Sequence, residues 1–502
     1  MVGTLHPLTP GKLDKALLQR AAAGGARFTL PDAVRANVGA SMRAVRELAN
    51  QYEPVFGINS GFGSLGPTRI RDDHHAQMQK NLLLANSVGI GQALPAPVVR
   101  LMLLLKAASL AHGLSGVRPE VIDAMLALLA ADVLPVVPEK GSAGISGDQV
   151  PLAHLSGVLI GTGEAHVEGR RMPAGQALAQ VGLSPLELGP KEGLALLSGT
   201  QACTAVSIHA LHRLERVFDA AVAAGAMTMD AAKSSDTPFD DRIHAARGHR
   251  GQREVAGRHR AWLFSSELRQ PHKHAEQLQS PYCVRCQPQV MGACLDQIRH
   301  AADVLLIEAN SASDNPMVFA ETLEALAGGN LHDEPVAFAA DNMALAVAEI
   351  GALSERRTAL LIDPALSGLP AFLVEDSEAN TGFRIGQATA AALVAENKGL
   401  ARPSSVETPP SAANQEDPHC MAFQAGRRLL SMLDNTVNIV AIEWLAAAQG
   451  LDFRRPLQSS PAIELLHAQL REKVPLLVRD RPIAADIAAV SALVEAGVPP
   501  PD

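Results

Sequence analysis

A short segment rich in glycine and serine, residues 138–148, carries the least ordinary chemistry in the sequence. A flexible turn is one interpretation. A phosphate-binding loop is a second, although the Gly-Lys-Ser/Thr ending and the preceding strand of a nucleotide-binding loop are missing. A backbone cyclisation is the third. In it the amide nitrogen of Gly147 attacks the carbonyl carbon of Ile145, and loss of water, with dehydration of Ser146, leaves a ring bearing an electrophilic methylidene. Glycine suits the attacking position because no side chain hinders its nitrogen.

Long helices are predicted to position this loop, because apolar residues recur at helical spacing over long stretches. Helices with so few charges need apolar partners on several sides, so the sequence predicts an all-α bundle with part of its surface buried between subunits. A small hairpin is expected at residues 165–171. Gly450 is expected to follow the last long helix as its C-terminal glycine. The helices are predicted at residues 98–112, 200–229, 289–310, 336–361 and 431–449.

The composition argues against several classes of function. Hydrophobic residues make up 47% of the 502 residues and charged residues 19%, which predicts a large folded core. The net charge of −9, without a basic arm, argues against nucleic-acid binding. The best candidate for a membrane span, residues 121–137, is interrupted by Asp123, Asp132 and Pro135. Five cysteines in so long a chain, with no secretory leader at its start, predict a cytoplasmic protein.

The residues around the loop resemble the signature of the histidine and phenylalanine ammonia-lyases. Residues 141–154 read Gly-Ser-Ala-Gly-Ile-Ser-Gly-Asp-Gln-Val-Pro-Leu-Ala-His. Further matches follow in the family's order and span nearly the whole chain, so their joint occurrence is far more specific than one glycine-rich loop. They lie at residues 56–63, 281–292, 313–316, 328–332, 354–357, 396–398 and 414–417.

The resemblance implies an all-helical fold of the ammonia-lyase type, with a long central helix bundle. It also implies a homotetramer, each active site built from three subunits, and non-oxidative cleavage of a carbon–nitrogen bond. The electrophile would be a methylidene-imidazolone made from Ile145, Ser146 and Gly147, so no external cofactor is expected. We expect one continuous lyase unit, with an N-terminal part, 1–200, that carries the loop and a helix-bundle and C-terminal part, 201–502.

No metal site is expected from the sequence. Cys283 and Cys286 form a single Cys-x-x-Cys pair inside a lyase motif, and a zinc site of that type needs a second pair of ligands. The expected partners are therefore a small-molecule substrate and further copies of the same chain, with no nucleic acid and no membrane.

The match is closest to the histidine branch of the family. The Gln415-Glu416 pair is typical of that branch, whereas phenylalanine lyases carry Gln-His, and a carboxylate can pair with an imidazole-type ring. The resemblance implies that Arg285 holds the substrate carboxylate by a bidentate contact. It implies a catalytic role for Tyr282. It also implies that Asn315 and Gln279 line the same pocket. The competing interpretation is that these residues only satisfy buried polar groups.

Several positions of the family's pocket are occupied by other residue types here. The family's tyrosine, usually assigned as the base that removes the β-proton, is replaced by phenylalanine, which cannot accept a proton. Tyr52 lies four residues earlier and is not expected to substitute. A β-branched residue opens the tripeptide and crowds the carbonyl that must be attacked. The departures are Phe56 for tyrosine, Asn86 for histidine, Ser198 for asparagine, Leu331 for phenylalanine, Arg384 for methionine and Ile145 for alanine.

These departures favour a different leaving group. A trimethylammonium group is already cationic and leaves as neutral trimethylamine, so its elimination needs a base and stabilisation of the developing charge more than an electrophile. Arg384 could pair with a thiolate-like sulfur on an imidazole. The sequence therefore predicts an ergothionase-like activity that releases trimethylamine from ergothioneine and gives thiourocanate. The alternatives are a histidine ammonia-lyase that gives urocanate and ammonia, and an inactive scaffold. The sequence leaves the substrate, the leaving group, the β-proton base and the formation of the ring open.

Overall fold

The computed structural model describes residues 4–61, 68–269, 280–407, 416–499 and 501. Helices dominate this part of the chain, as the sequence predicts, and the longest of them span 31 residues. In chain order they are α1 Lys15–Ala23, α2 Asp32–Ala49, α3 His75–Asn86, α4 Ala96–Leu110, α5 Pro119–Ala130, α6 Gln149–Gly157, α7 Ala174–Gln180, α8 Glu192–Leu197, α9 Gln201–Ala231, α10 Asp241–Arg247, α11 Arg250–Trp262, α12 Tyr282–Arg285, α13 Gln287–Ala309, α14 Glu334–Leu361, α15 Pro364–Ser367, α16 Arg384–Leu400, α17 Ala422–Asp452, α18 Pro461–Lys473 and α19 Ala484–Ala496.

The predicted long helices are all present, and the last of them differs most from its prediction. α17 begins at Ala422 rather than at residue 431 and continues to Asp452. The expectation that Gly450 follows this helix is wrong. A Cβ atom at Gly450 would lie 2.9 Å from the Cβ of Ala231 in α9, so the glycine permits a close approach of two helices instead of ending one.

The strands are short and lie at the margins of the helices. The hairpin expected at residues 165–171 is confirmed, because β6 and β7 pair antiparallel. β1 pairs with β2, β3 with β5, β4 with β6, and β8 with β9. The strands are β1 Leu5–Pro7, β2 Arg27–Thr29, β3 Ile90–Ala93, β4 Leu134–Pro135, β5 Pro138–Lys140, β6 Glu164–Val167, β7 Arg170–Pro173, β8 Met317–Phe319 and β9 Glu324–Leu326.

The contacts divide the chain into two compact units that are interleaved along the sequence. The first unit comprises Met1–His209, Ala302–Ala340 and Pro403–Arg427. The second comprises Ala210–Ala301, Asp341–Arg402 and Arg428–Asp502. The 138–148 loop belongs to the first unit, where α4 forms a core helix whose residues from Val98 to Leu110 are almost all buried.

The second unit is held together by a buried ion pair. Arg357 of α14 and Glu443 of α17 are both fully buried, and the guanidinium Nε and Nη2 donate to the carboxylate at 2.5 and 2.7 Å. Thr228 and Ser354 donate to the same two carboxylate oxygens, each at 2.7 Å. Because each charge meets several hydrogen-bond partners, the cost of burying it is offset, and α9, α14 and α17 are fixed in one register.

α14 and α17 are long and apolar enough, by length and composition alone, to cross a membrane. Both were predicted from the sequence as long helices, but neither as a membrane span. In the structure 67% of the most apolar window of α14 and 72% of that of α17 are buried inside the chain. Burial of this extent is typical of the core helices of a bundle, and we assign both helices to the core.

Candidate functional site

The Ile145-Ser146-Gly147 tripeptide lies in a left-handed turn. Ser146 has a φ of 48° and Gly147 a φ of 80°, and two successive positive φ angles make a tight reversal of the backbone. A Cβ atom at Gly147 would lie 2.4 Å from the carbonyl oxygen of Gly199, so only glycine fits there. The turn rests on that carbonyl, which accepts a hydrogen bond from the backbone N–H of Asp148 at 2.8 Å.

Glu416 contacts the central residue of this turn. The Ser146 hydroxyl donates to Glu416 Oε1 at 2.8 Å, across 270 positions of sequence. Both side chains are half-buried. The serine hydroxyl that would leave as water during a cyclisation is therefore held by the carboxylate that marks the histidine branch. The sequence predicted that both residues belong to one site, and the structure brings them into contact.

A fully buried set of thiols and carboxylates lies behind the turn. We call Asp148, Cys203, Asp333 and Cys420 the thiol–carboxylate cluster, with His332 at its half-buried edge. The backbone N–H of Cys203 donates to Asp148 Oδ2 at 2.7 Å, and the Cys420 thiol donates to Asp333 Oδ1. Sequence reasoning missed this cluster, because its members come from four distant segments and each is unremarkable in its own segment.

A buried lysine holds the segment on which the turn rests. Lys106 of α4 donates from Nζ to the Ser198 carbonyl oxygen at 2.5 Å and to Gln201 Oε1 at 3.3 Å. Burial lowers the pKa of this ammonium to about 8, while the charge of Asp314 opposes the shift. Ser198 is 1% exposed and directly precedes Gly199, so the contact fixes the backbone beneath Gly147.

A second buried lysine positions the Ser313-Asp314-Asn315-Pro316 motif. Lys191 Nζ donates to Asp314 Oδ2 at 2.6 Å, and both side chains are buried. Asn315 accepts a hydrogen bond on Oδ1 from the backbone N–H of Gly328 at 2.8 Å. The predicted pocket residue Asn315 therefore also ties two loops of the first unit together, and half-buried Leu331 follows in the second of these loops.

Comparison with known proteins places this arrangement in a family. The family model described as aromatic amino acid lyase matches residues 13–472. The chain belongs to the aromatic amino acid lyase family.

Three similar proteins show what kind of enzyme this chain resembles. A histidine ammonia-lyase of Paracidovorax citrulli is 55% identical over 96% of this chain and 94% of the relative. The crystal structure of histidine ammonia-lyase from Trypanosoma cruzi superposes with a TM-score of 0.90 at 34% identity, over 98% of this chain and 94% of that one. Ergothionase from Treponema denticola, an ergothioneine-degrading enzyme, superposes with a TM-score of 0.93 at 26% identity, over 98% and 99% of the two chains. The fold is therefore the helical ammonia-lyase fold, and the chain is a carbon–nitrogen lyase.

The residue in place of the lyase tyrosine lies in a well-fixed loop of the first unit. Phe56 is 38% exposed, next to fully buried Asn59. The Asn59 amide accepts from the backbone N–H of Val55 at 2.6 Å and donates to the carbonyl oxygens of Gln51 and Glu53, both at 3.1 Å. The backbone around residue 56 is thus held in place.

Asn86 closes α3 in the same unit. Its side-chain amide donates to the Leu82 carbonyl oxygen at 2.9 Å, within its own helix. The first unit therefore contains Phe56, Asn86, Ser198, Asn315, Leu331 and Glu416 together with the tripeptide.

The remaining predicted site residues belong to the second unit. Tyr282 begins α12 and is 69% exposed. The guanidinium carbon of Arg285 lies 4.4 Å from the centroid of the Tyr282 ring, while Arg285 Nε donates to the Ser280 carbonyl oxygen at 2.9 Å. The guanidinium and the phenol thus form one stacked unit at the start of α12. Gln279 lies outside the described residues, as does Gln415.

Arg384 occupies an unusual place for a cation. It is exposed and is the first residue of α16. The N-terminus of a helix carries a partial positive charge, so a cationic side chain there is unfavourable by about 0.3 to 1 kcal/mol unless an anion is close. This placement agrees with a residue that meets a negatively charged group of a ligand.

Proposed function

We propose that this lyase acts on histidine and releases ammonia, giving urocanate. The observation that carries the proposal is the hydrogen bond from Ser146 to Glu416 at the left-handed turn, because it joins the electrophile-forming serine to a carboxylate suited to an imidazole ring. The relative at 55% identity, named histidine ammonia-lyase, supports the same substrate. The sequence alone favoured trimethylamine as the leaving group, whereas the 55% identical relative favours ammonia.

The backbone of the tripeptide fits a methylidene-imidazolone. The positive φ angles of Ser146 and Gly147 bend the chain, and the contact of Gly147 with Gly199 leaves no room for a side chain at the position whose nitrogen closes the ring. Ile145 is the one member of the three that differs from the family's usual residue. Such a group, when formed, supplies an electrophile that activates the substrate.

Other side chains bind the substrate and move its protons in this proposal. The fork of Arg285 holds the substrate carboxylate in two parallel hydrogen bonds. Glu416 accepts a hydrogen bond from the imidazole N–H and keeps the ring oriented. Tyr282 is the phenol that accepts the β-proton, since Phe56 has no group that can accept a proton and Tyr52 is 89% exposed to solvent.

Incubation of the purified protein with histidine tests the proposal. We expect conjugated urocanate, detected by ultraviolet absorbance, together with an equal amount of ammonia. The intact chain should show a mass loss of two waters. Ser146→Ala should lose both the mass change and the turnover, whereas Ser142→Ala, a serine of the same loop outside the tripeptide, should keep both. An unmodified mass together with no product from histidine would refute the proposal.

A second candidate function is elimination of trimethylamine from a sulfur-bearing histidine betaine, as in an ergothionase. The exposed cation of Arg384 at the start of α16 favours it specifically, because a thiolate-like ring sulfur is an anion. The replacement of the usual base by Phe56 favours it as well. The neighbour in Treponema denticola, 26% identical, is an enzyme of this kind.

Parallel incubations with hercynine and ergothioneine separate the two candidates. Trimethylamine and thiourocanate from ergothioneine, without urocanate from histidine, would reverse our order of preference. In that case Arg384→Met should reduce turnover of ergothioneine far more than that of hercynine, which lacks the sulfur. If neither amine is released from any of the three compounds, the chain is an inactive member of the family.

We also propose a cytoplasmic homotetramer whose sites combine residues of different copies. The long apolar helices and the five free cysteines support it. Tyr282 and Glu416 would then reach one pocket from different chains, so the isolated chain would be inactive.

A further inference from the structure

The thiol–carboxylate cluster has no part in the lyase reaction described above, although its members are chemically reactive. Asp148, Cys203, Asp333 and Cys420 are all 0% exposed. One donor atom each from Asp148, Cys203 and Asp333 lie within 4.8 Å of one another, and so do one each from His332, Asp333 and Cys420. Asp333 is common to both triads, so the two triads adjoin each other in the first unit.

Two carboxylate oxygens of the cluster are left without a partner. Asp148 Oδ1 and Asp333 Oδ2 are buried and have no hydrogen-bond partner among the residues that the structure describes. The ammonium of Lys106 donates instead to the Ser198 carbonyl oxygen and to Gln201. A buried carboxylate oxygen without a donor or a cation is costly, and native proteins place such oxygens mainly where a water or an ion binds them.

Burial disfavours the charged forms of the acids in the cluster. Burial, followed by the charge of Asp333, raises the pKa of Asp148 to about 8. Burial also raises the pKa of the Cys203 and Cys420 thiols, and the neighbouring carboxylates raise both further. Four groups that can become anions are thus gathered, and the buried ammonium of Lys106, although it feels the charge of Asp148, donates its hydrogen bonds outside the cluster.

We propose that Asp148, Cys203, Asp333 and Cys420 bind one zinc ion. Two sulfur and two oxygen donors match the preference of zinc for four-coordinate sites, whereas an all-oxygen set would favour magnesium or calcium. On binding, each thiol releases its proton to solvent and coordinates as a thiolate. The carboxyl of Asp148, which is protonated at pH 7, also releases its proton, so that both carboxylates coordinate as anions. His332, on the exposed edge, is the route of entry and a substitute donor.

The ion would hold the site together without touching the substrate. Asp148 follows the tripeptide directly, Cys203 lies in the first turn of α9, Asp333 precedes α14, and Cys420 precedes α17. Glu416 lies in the same short segment as Cys420, so the zinc would fix both partners of the Ser146–Glu416 hydrogen bond. The four ligands are therefore positioning residues, and their combination escaped the sequence analysis because only the fold unites them.

Metal analysis of the whole protein tests the proposal without reference to its activity. The chain is stripped with a chelator, incubated with zinc chloride, passed through a desalting column and analysed by mass spectrometry for metals. We expect one zinc per chain and release of about three protons per zinc at pH 7, one from each thiol and one from Asp148. Loading with cobalt instead should give thiolate-to-cobalt charge-transfer absorption. Less than a tenth of an equivalent of zinc on a folded chain would overturn the proposal.

Variants decide whether the ion lies in the cluster. Asp333→Ala and Cys420→Ser should each weaken zinc binding by at least about 100-fold, since a lost ligand costs no less than a lost outer-shell partner. Cys294→Ser is the matched control, because Cys294 is a buried free thiol of α13 outside the cluster. Retention of one zinc in all three variants would place the ion elsewhere and overturn the assignment. If a variant does not fold, the cobalt spectrum and the proton release of the unaltered chain still decide, because both require thiolate ligands.

Discussion

At the scale of single residues, the sequence revealed the groups that lie in contiguous motifs and missed those that the fold assembles. Ser146 and Glu416 were both identified, and they form a hydrogen bond at 2.8 Å. Asp148, Asp333 and Cys420 were not identified as a group, because a lone cysteine or aspartate in a family motif carries no signal of its own. Contacts across 87 positions of sequence, such as Cys420 with Asp333, depend on helix packing that no local pattern encodes.

Phe56, at the position where the family resemblance implies a tyrosine, offers a gain-of-function prediction. Phe56 is 38% exposed and lies in a loop that the hydrogen bonds of Asn59 fix. We expect Phe56→Tyr to raise kcat for histidine, but by less than about 100-fold, the usual contribution of a positioned general base, because Tyr282 already supplies one phenol. Phe319→Tyr is the matched control at 36% exposure in the same unit, and should change nothing. An equal effect of both substitutions would show that residue 56 does not face the substrate.

At the scale of helices and strands, periodicity predicted the long helices well and their ends less well. α14 was predicted at 336–361 and is observed from Glu334 to Leu361. The prediction agrees with the structure because the apolar pattern in the sequence ends where the helix ends. α17 begins earlier than predicted and passes through Gly450. In a sequence, a glycine after a helical pattern indicates the end of the helix. Gly450 instead permits the close approach of Ala231, and only the packing of the helices shows this reason for a glycine.

The ion pair between α14 and α17 should be strongly coupled. We expect Arg357→Met to destabilise the fold by about 3 to 5 kcal/mol, because it leaves the carboxylate of Glu443 buried without its counter-charge. The double variant Arg357→Met/Glu443→Leu should recover much of that loss, since it removes both charges together. Urea unfolding measures both effects, with Arg242→Ala, which breaks an exposed pair with Asp240, as a control of little effect. Additive losses in the double variant would contradict the coupling.

The loss of folding stability at acid pH should depend on His259 of α11. Burial, reinforced by the charges of Arg357 and Arg258, lowers the pKa of His259 to about 4. The unfolded chain binds this proton near pH 6.5 and the folded chain only near pH 4, so stability falls as the pH drops between these values. The full effect is about 3 kcal/mol. Unfolding free energies measured from pH 7 to pH 4 should fall less steeply in His259→Gln, and an unchanged slope would exclude His259 as the cause.

At the scale of the whole molecule, α14 presents a face that the described residues of the chain leave uncovered. Phe338 is 55% exposed and Leu345 is 50% exposed, although most of this helix is buried. These two residues are seven positions apart, and half-buried Asn342 and exposed Glu349 continue the same row at alternating steps of three and four. Such a row is typical of the seam along which long helices of different subunits pack. The sequence predicted the assembly from the low charge of the long helices and from the family resemblance, and this row specifies where one contact should form.

A variant that dissociates the tetramer should therefore also lose its activity. Leu345→Glu places a carboxylate in the apolar row four positions from Glu349, so we expect the tetramer to dissociate. Leu345→Met preserves volume and should remain tetrameric. Sedimentation velocity gives the oligomeric state, and histidine turnover is measured on the same samples. Because Tyr282 and Glu416 should come from different copies, the dissociated variant should have no turnover while keeping its helical circular dichroism. An active monomer would show that one chain completes the site, and a tetrameric Leu345→Glu would move the subunit contact to another face of the bundle.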